Sequence, residues 1–131
     1  MGAASGCFAR WPEQQILYNR FEPWLLEHFP MAEVDVQKSQ ITFRAPAPFC
    51  AVWLPSFGRR LAPKHCLVVT VYGSEKLEMS RVAAQTEPYP GRWTHHIPIQ
   101  NPEDLDSELL DLLERSFLFK LQHSRNNRNR A

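Results

Sequence analysis

The segment Cys66-Leu67-Val68-Val69-Thr70-Val71-Tyr72 decides the fold of this chain. Its residues are apolar, aromatic or β-branched, and none of them is charged. This pattern is typical of a strand that is buried on both faces. Such a strand belongs in the middle of a sheet, so the rest of the chain must supply neighbouring strands and a covering layer.

The residues before this segment predict a helix followed by three strands. Residues 13–28 repeat apolar side chains with helical spacing, and Pro12 suits the first helical turn. Pro23 lies inside this stretch and predicts either a kink or two short helices. Alternation with a period of two then predicts strands at 33–36, 41–44 and 49–54, the first two joined by a turn at Lys38-Ser39.

The residues after the central segment predict a last strand and a closing helix. Residues 73–86 fit either a short helix or an irregular strand. Glu87-Pro88-Tyr89-Pro90-Gly91 predicts a tight turn, because proline presets φ and glycine accepts unusual φ values. The turn leads into a strand from Trp93 to Ile99. Asn101-Pro102-Glu103-Asp104 then indicates a helix start, with an N-cap side chain, a proline and two acids.

These elements predict an α+β fold, a two-layer sandwich with an N-terminal helix, about five mostly antiparallel strands and a C-terminal helix. Both helices are expected to cover the same face of the sheet. The domain is assigned to residues 13–122, between a flexible N-terminus at 1–12 and a disordered basic tail at 123–131.

Charge is nearly balanced over the 131 residues, with 15 Lys and Arg against 14 Asp and Glu, but it is unevenly distributed. Between Asp35 and Glu75 there is no acidic residue. The bases in that interval are Lys38, Arg44, Arg59, Arg60 and Lys64. A basic stretch of this kind indicates an anionic partner.

Cysteine usage and hydropathy predict a protein of the cytoplasm. Cys7, Cys50 and Cys66 are odd in number and lack C-x-x-C spacing, which favours reduced thiols over a disulfide framework. Cys50 and Cys66 are expected to act as small core residues. The longest apolar runs have about five residues, far fewer than the ~20 that a membrane-spanning helix needs. No lipoprotein or myristoylation signal fits the N-terminus.

Titratable residues concentrate in the segment Glu87 to His96. Adjacent residues of a strand point to opposite faces, so His95 and His96 are not expected to chelate one ion, and no metal or other cofactor is predicted. A hydrolase-like enzyme using Glu87 with His95 is a minor alternative. The standard catalytic motifs are absent, so the sequence predicts no enzyme.

Three segments resemble an uncharacterised family of bacterial domains of unknown function: Lys38 to Arg44, Glu87 to His96, and the acid-rich helix from Pro102 through Ser116-Phe117. The chain is more distantly similar to MmcQ/YjbR-like proteins, whose last strand bears Trp or His and precedes a Leu-rich acidic helix. Those proteins carry a tyrosine where this chain has Phe117. Members of the first family also occur fused to nuclease-like or zinc-finger segments, so the resemblance implies a connection with nucleic acid.

The sequence therefore predicts a non-enzymatic binding module for nucleic acid or another anionic partner. Arginine beside an aromatic ring suits recognition of phosphate and base. The residues expected to form the binding face are Lys38, Arg44, Arg81, Arg92, Trp93 and His95. Alternatives are a protein-protein interaction or self-associating module, such as a homodimer formed through an exposed sheet edge, and a small-ligand binder.

Overall fold

The computed structural model describes residues 11–37, 40–54 and 66–130, with side-chain detail as far as His123. Its elements, in chain order, are α1 Pro12–His28, β1 Glu33–Val36, β2 Ile41–Arg44, β3 Pro48–Trp53, β4 Leu67–Gly73, β5 Ala84–Tyr89, β6 Arg92–Ile99, a single 3₁₀ turn at Pro102–Asp104, and α2 Ser107–Arg130. No helix in this part of the chain is both long enough and apolar enough to cross a membrane.

The strands form one six-stranded sheet in the order β1-β2-β3-β4-β6-β5, and every neighbouring pair is antiparallel. The predicted α+β class is confirmed. The central position of β4 is confirmed as well, since it pairs with β3 on one side and β6 on the other. Leu67 through Val71 are all buried.

The strand that the sequence left ambiguous is β5. It pairs only with β6, so it lies at an edge of the sheet, where a proline such as Pro88 is tolerated because one side of the strand needs no hydrogen bonds. The predicted turn is shorter than expected and is confined to Pro90 and Gly91. Gly91 has φ +74°, in the left-handed region that favours glycine.

Both helices cover the same face of the sheet, as predicted. Leu17, Phe21 and Leu25 of α1 and Leu109 and Leu113 of α2 belong to one buried cluster with the inward residues of β2, β3, β4 and β6. The helix α1 passes through Pro23 without division into two helices. At the other end of the chain, the α2 backbone stays helical to Arg130, within the segment for which the sequence predicts disorder.

The helix α2 starts later than the sequence indicates. Asn101 and Asp104 form a capping box around the 3₁₀ turn. The first turn of α2 is instead capped by Asp106, whose carboxylate accepts a hydrogen bond from the backbone N–H of Leu109 at 2.9 Å.

Ser116 of α2 joins β3 to β4. Pairing of these strands is regular from Trp53–Val68 to Ala51–Thr70, and the same register continued would place Phe49 opposite Tyr72. Instead, the N–H of Tyr72 donates to Ser116 Oγ at 2.9 Å, and the Ser116 hydroxyl donates to the carbonyl of Phe49 at 2.6 Å. The fully buried hydroxyl therefore completes the strand pairing at the end of the sheet.

Cys50 and Cys66 are buried free thiols, as predicted, while Cys7 lies outside the described residues. Burial raises the pKa of both thiols, that of Cys66 to about 11. Neither is therefore an activated nucleophile.

Candidate functional site

A cleft of about 500 Å³ lies between the C-terminal end of β4, the connection that follows it and one side of α2. We call it the His95 cleft. Its apolar wall is formed by Val71, Leu77, Leu112, Leu118 and Phe119. Its polar and small residues are Tyr72, Gly73, Ser74, Glu75, His95, Arg115, Gln122 and His123.

The hydrogen bonds of Gln85 fix the tautomer of His95. The Gln85 side chain pairs with the backbone of Leu77, because its Oε1 accepts from the Leu77 N–H at 3.0 Å and its amide nitrogen donates to the Leu77 carbonyl at 2.9 Å. The orientation of the amide is thereby determined. The same Oε1 lies 2.8 Å from His95 Nδ1, and since an amide oxygen only accepts, Nδ1 must carry the proton.

The second ring nitrogen of His95, Nε2, is consequently a free acceptor in the neutral ring. No described residue makes a hydrogen bond to it. It faces the backbone of Gly73, where a Cβ atom would lie 3.3 Å away. The Trp93 ring is parallel to the imidazole at an interplanar angle of 1°, with ring centroids 6.4 Å apart. A glycine on one strand and a tryptophan on the next therefore shape the space around this lone pair.

Burial holds His95 in its neutral form. Desolvation lowers the pKa of His95 from its usual value, and the neighbouring charge of His96 lowers it further. A neutral imidazole with a fixed tautomer can accept a hydrogen bond from a ligand, or a proton from a substrate.

The connection between β4 and β5 forms the outer wall of the cleft and is fastened at two points. The first is the pairing of Gln85 with the Leu77 backbone. The second is Arg81, which bonds Asp106 at 2.8 Å, Glu108 at 3.1 Å and the Asp104 carbonyl at 3.0 Å. These bonds tie the connection to the start of α2.

The helix wall contributes a second histidine. His123 Nδ1 lies 2.9 Å from the carbonyl of Phe119, so Nδ1 is the donor of that hydrogen bond. Arg115 forms an ion pair with Asp111 at 3.0 Å. Within residues 11–37, 40–54 and 66–123, no group of three or more His, Cys, Asp or Glu side chains is placed to hold a metal ion.

The six residues predicted to form one binding face are only partly brought together. Trp93 and His95 lie side by side. Arg92 begins the same strand, but alternation points it to the other face of the sheet. Arg81 lies near the C-terminal end of β6, beside the 3₁₀ turn, and is roughly 20 Å from Arg92 at the other end of the strand. Its guanidinium is engaged by carboxylates and is only 18% exposed.

The other two residues of that face lie elsewhere. Arg44 ends β2, which β3 and β4 separate from β6, a distance of roughly 14 Å for three strand spacings. Its guanidinium is 3.7 Å from the Glu33 carboxylate. Lys38 lies outside the described residues.

His96 belongs to a separate polar cluster on the opposite face of the sheet. Trp53 Nε1 donates to Thr70 Oγ1 at 2.8 Å, and that oxygen lies 2.9 Å from His96 Nδ1. The Trp53 and His96 rings meet edge to face, with centroids 5.5 Å apart. Desolvation lowers the pKa of His96. The prediction that adjacent histidines point to opposite faces is therefore confirmed.

Sequence reasoning missed Gly73, Gln85 and His123. Gly73 and Gln85 matter only through the register that places them beside His95, and their identities carry no motif. His123 could have been found, because helical spacing places it on the same side of α2 as Leu112, Arg115 and Phe119.

The fold and the cleft define a class: a small α+β domain in which two helices cover one face of an antiparallel sheet and one helix borders a histidine-lined cleft. No curated protein and no solved structure matches the chain. The model of a domain of unknown function, DUF5655, matches residues 12–120. The chain therefore belongs to the DUF5655 family.

This membership confirms the predicted resemblance to a domain family of unknown function. The comparisons give no support to the similarity with MmcQ/YjbR-like proteins, and none to nucleic-acid binding.

Proposed function

We propose that this protein is a small-molecule-binding domain whose ligand occupies the His95 cleft and donates a hydrogen bond to His95 Nε2. The observation that carries the proposal is a lone pair to which no described residue bonds, on a ring of fixed tautomer at the wall of a cleft of about 500 Å³. Mostly apolar walls with a few fixed polar groups are the usual composition of small-molecule sites.

The chemistry of His95 restricts the ligand. Because the ring is neutral and Nε2 is an acceptor, the group that meets it must be a donor, such as a hydroxyl or an amide N–H. Phe119 and Tyr72 line the same cleft, which suits an aromatic ligand of modest size.

The test is a fragment screen with NMR signals of the histidine rings as the readout. Neutral aromatic alcohols and amides should shift the His95 ring resonances. His95→Phe, followed through the ring of His123 in the same cleft, should abolish that binding because it removes the acceptor. His96→Phe is the matched control, since it changes the adjacent residue on the opposite face of the sheet. Fragments that bind His95→Phe as tightly as the wild-type protein, or no fragment that affects His95, would contradict the proposal.

An anionic partner is the second candidate. Nucleic acid is the partner that the sequence favours. The geometry supports it less than it supports a small molecule, because Arg81 and Arg44 already face carboxylates. Of the three arginines predicted for the binding face, Arg92 is the one that forms no ion pair with a described residue. Labelled DNA and RNA should therefore bind the Arg44→Ala/Arg92→Ala double variant no more weakly than the wild-type protein; a salt-sensitive loss in that variant would restore the nucleic-acid hypothesis.

A further inference from the structure

We infer that Lys120 and Arg92 form an anion subsite beside Tyr72, where they bind the carboxylate or phosphate of the molecule that occupies the His95 cleft. The inference that the anion belongs to that molecule rests on the function proposed above. The existence of the subsite does not.

The geometry of Lys120 is the first observation. Its ammonium lies 4.2 Å from the centroid of the Tyr72 ring, so it is held against the end of β4 by a cation–π contact. Tyr72 also lines the His95 cleft. Tyr72 is therefore the residue common to the cleft and to the cation.

The register of the sheet brings Arg92 to the same place. Tyr72 pairs with Thr94 and Gly73 with Trp93, so Arg92, the first residue of β6, lies just beyond the end of β4. Burial lowers the pKa of Lys120 first, and the charge of Arg92 lowers it further, which agrees with two cations close to each other.

Neither cation is neutralised by the part of the chain that the structure describes. The ion pairs found there involve Arg44, Arg81 and Arg115 and leave out Lys120 and Arg92. Two neighbouring cations repel each other, and a bound anion would relieve that repulsion while accepting charge-assisted hydrogen bonds from both. Arg92 is three residues from His95, about 10 Å along the strand, and alternation points the two side chains to opposite faces of the sheet. A molecule that meets both must therefore pass around the end of β4, where Gly73 has no side chain. The ligand class is consequently a small aromatic acid or phosphate ester with a hydroxyl or N–H donor at its other end.

The subsite is tested with inorganic phosphate and phenylacetate, with the ε-methylene NMR signal of Lys120 as the readout and the Nε–H signal of Arg92 in its place for Lys120→Met. Both anions should shift that signal in the wild-type protein. Lys120→Met keeps the aliphatic stem over Tyr72, and we expect it and Arg92→Met each to weaken binding about tenfold, as loss of one charged hydrogen bond does. Arg115→Met is the matched control, because Arg115 is a cation of the cleft that already has a carboxylate partner.

The probe 4-hydroxyphenylacetate separates this inference from the proposed function. It should bind the wild-type protein more tightly than phenylacetate does. To His95→Phe, the two probes should bind equally tightly. If phosphate binds and the hydroxyl adds nothing, the subsite stands and the role of His95 fails. If neither anion moves the Lys120 signal, or Arg115→Met weakens binding as much as Lys120→Met, the subsite is overturned. An oligonucleotide that displaces phosphate at far lower concentration, with steep salt dependence, would overturn its assignment to a small molecule.

Discussion

Gly73 and Gln85 together determine what His95 can do. The Gln85 amide oxygen accepts the hydrogen bond from His95 Nδ1–H, and Gly73, which has no side chain, leaves space at Nε2. Neither residue takes part in the chemistry, yet each sets one side of the imidazole. A substitution at either position should therefore change the properties of the histidine more than it changes the fold.

Gly73→Ala should block the cleft without unfolding the protein. The new methyl would meet His95 Nε2 at 3.3 Å, whereas the backbone of Gly73 has no left-handed φ that would strain alanine. We expect a change of less than about 1 kcal/mol in the free energy of unfolding and a loss of ligand-induced shifts at His95.

Gly91→Ala is the matched control for that variant. No atom lies within 4 Å of the added methyl, but φ is +74°, so the cost is backbone strain of about 1 kcal/mol. Denaturant unfolding and histidine NMR on both variants separate the two effects. Normal ligand binding by Gly73→Ala would show that Nε2 is not the ligand contact.

Residue types in this site were visible in the sequence, but their partners were not. Trp93 and His95 stand in a segment rich in titratable and aromatic residues, and alternation along a strand correctly places them on one face. Arg81 resembles any exposed base in the sequence. Its role depends on carboxylates 25 and 27 residues later, which only the tertiary fold brings within reach.

Among the elements, the start of α2 and the β4–β5 connection are held by a shared carboxylate. Asp106 caps the helix through the Leu109 N–H and also pairs with Arg81. Desolvation alone would raise the pKa of Asp106, but the hydrogen bonds from the Leu109 N–H and from Arg81, together with the charge of Arg81, outweigh it and lower the pKa. One side chain therefore stabilises both a helix and the wall of the cleft.

Substitutions at Asp106 should separate its two roles. Asp106→Asn keeps a capping oxygen and removes the charge, so we expect a loss of about 0.5 kcal/mol for an ion pair whose carboxylate is half exposed. Asp106→Ala removes both and should cost about 1–2 kcal/mol. Urea denaturation measures both values, and equal costs for the two variants would show that the cap contributes nothing.

Ser116→Ala should be more damaging than its small change in volume suggests. It leaves the Tyr72 N–H and the Phe49 carbonyl without their partner in a buried position. Each unpaired group costs about 1–3 kcal/mol, so we expect a loss of at least ~2 kcal/mol. Ser116→Thr retains the hydroxyl and serves as the control. A cost below about 0.5 kcal/mol for alanine would indicate that β3 and β4 pair directly when the hydroxyl is absent.

The sequence predicts elements well where periodicity is strong and poorly where tertiary contacts decide. The alternation of β2 and the apolar run of β4 are local signals, and both strands were predicted. The edge strand β5 contains Pro88 and exposed polar residues, so its structure depends on β6. Likewise, an N-cap signal at Asn101 is genuine but starts only a 3₁₀ turn.

For the whole molecule, stability should depend on pH through the buried His95 and the half-buried His96. Desolvation lowers the pKa of His95 and of His96 from the usual value of 6.5. As the pH falls below that value, the unfolded chain takes up protons that the folded protein does not. The free energy of unfolding should therefore fall by up to about 1.4 kcal/mol per pH unit for each histidine, until the lowered folded pKa is reached, and it should be flat above pH ~7.5.

The measurement is guanidinium unfolding between pH 5 and pH 8, with a His95→Gln/His96→Gln double variant beside the wild-type protein. The variant should lose the decline below neutral pH. An unchanged decline in the variant would assign the pH dependence to other groups.

The overall architecture could be predicted because it follows from hydrophobic patterning along each segment. The cleft could not, because its walls come from β4, the β4–β5 connection, β6 and α2, and its shape depends on their register. The basic interval between Asp35 and Glu75 shows the same limit. Among its bases, Arg44 lies in the described structure, and it is balanced by Glu33.

The hydroxyl of Ser116 makes a residue of the last helix part of the strand pairing between β3 and β4. The sheet consequently has no complete form of its own, since the amide of Tyr72 acquires its partner only when a residue 44 positions later has docked. Slow hydrogen exchange at that amide would therefore show that α2 has packed on the sheet, and not only that β4 has formed. A fragment that ends before α2 would lack the Ser116 bridge between β3 and β4, and the helix added as a separate peptide should restore that bridge.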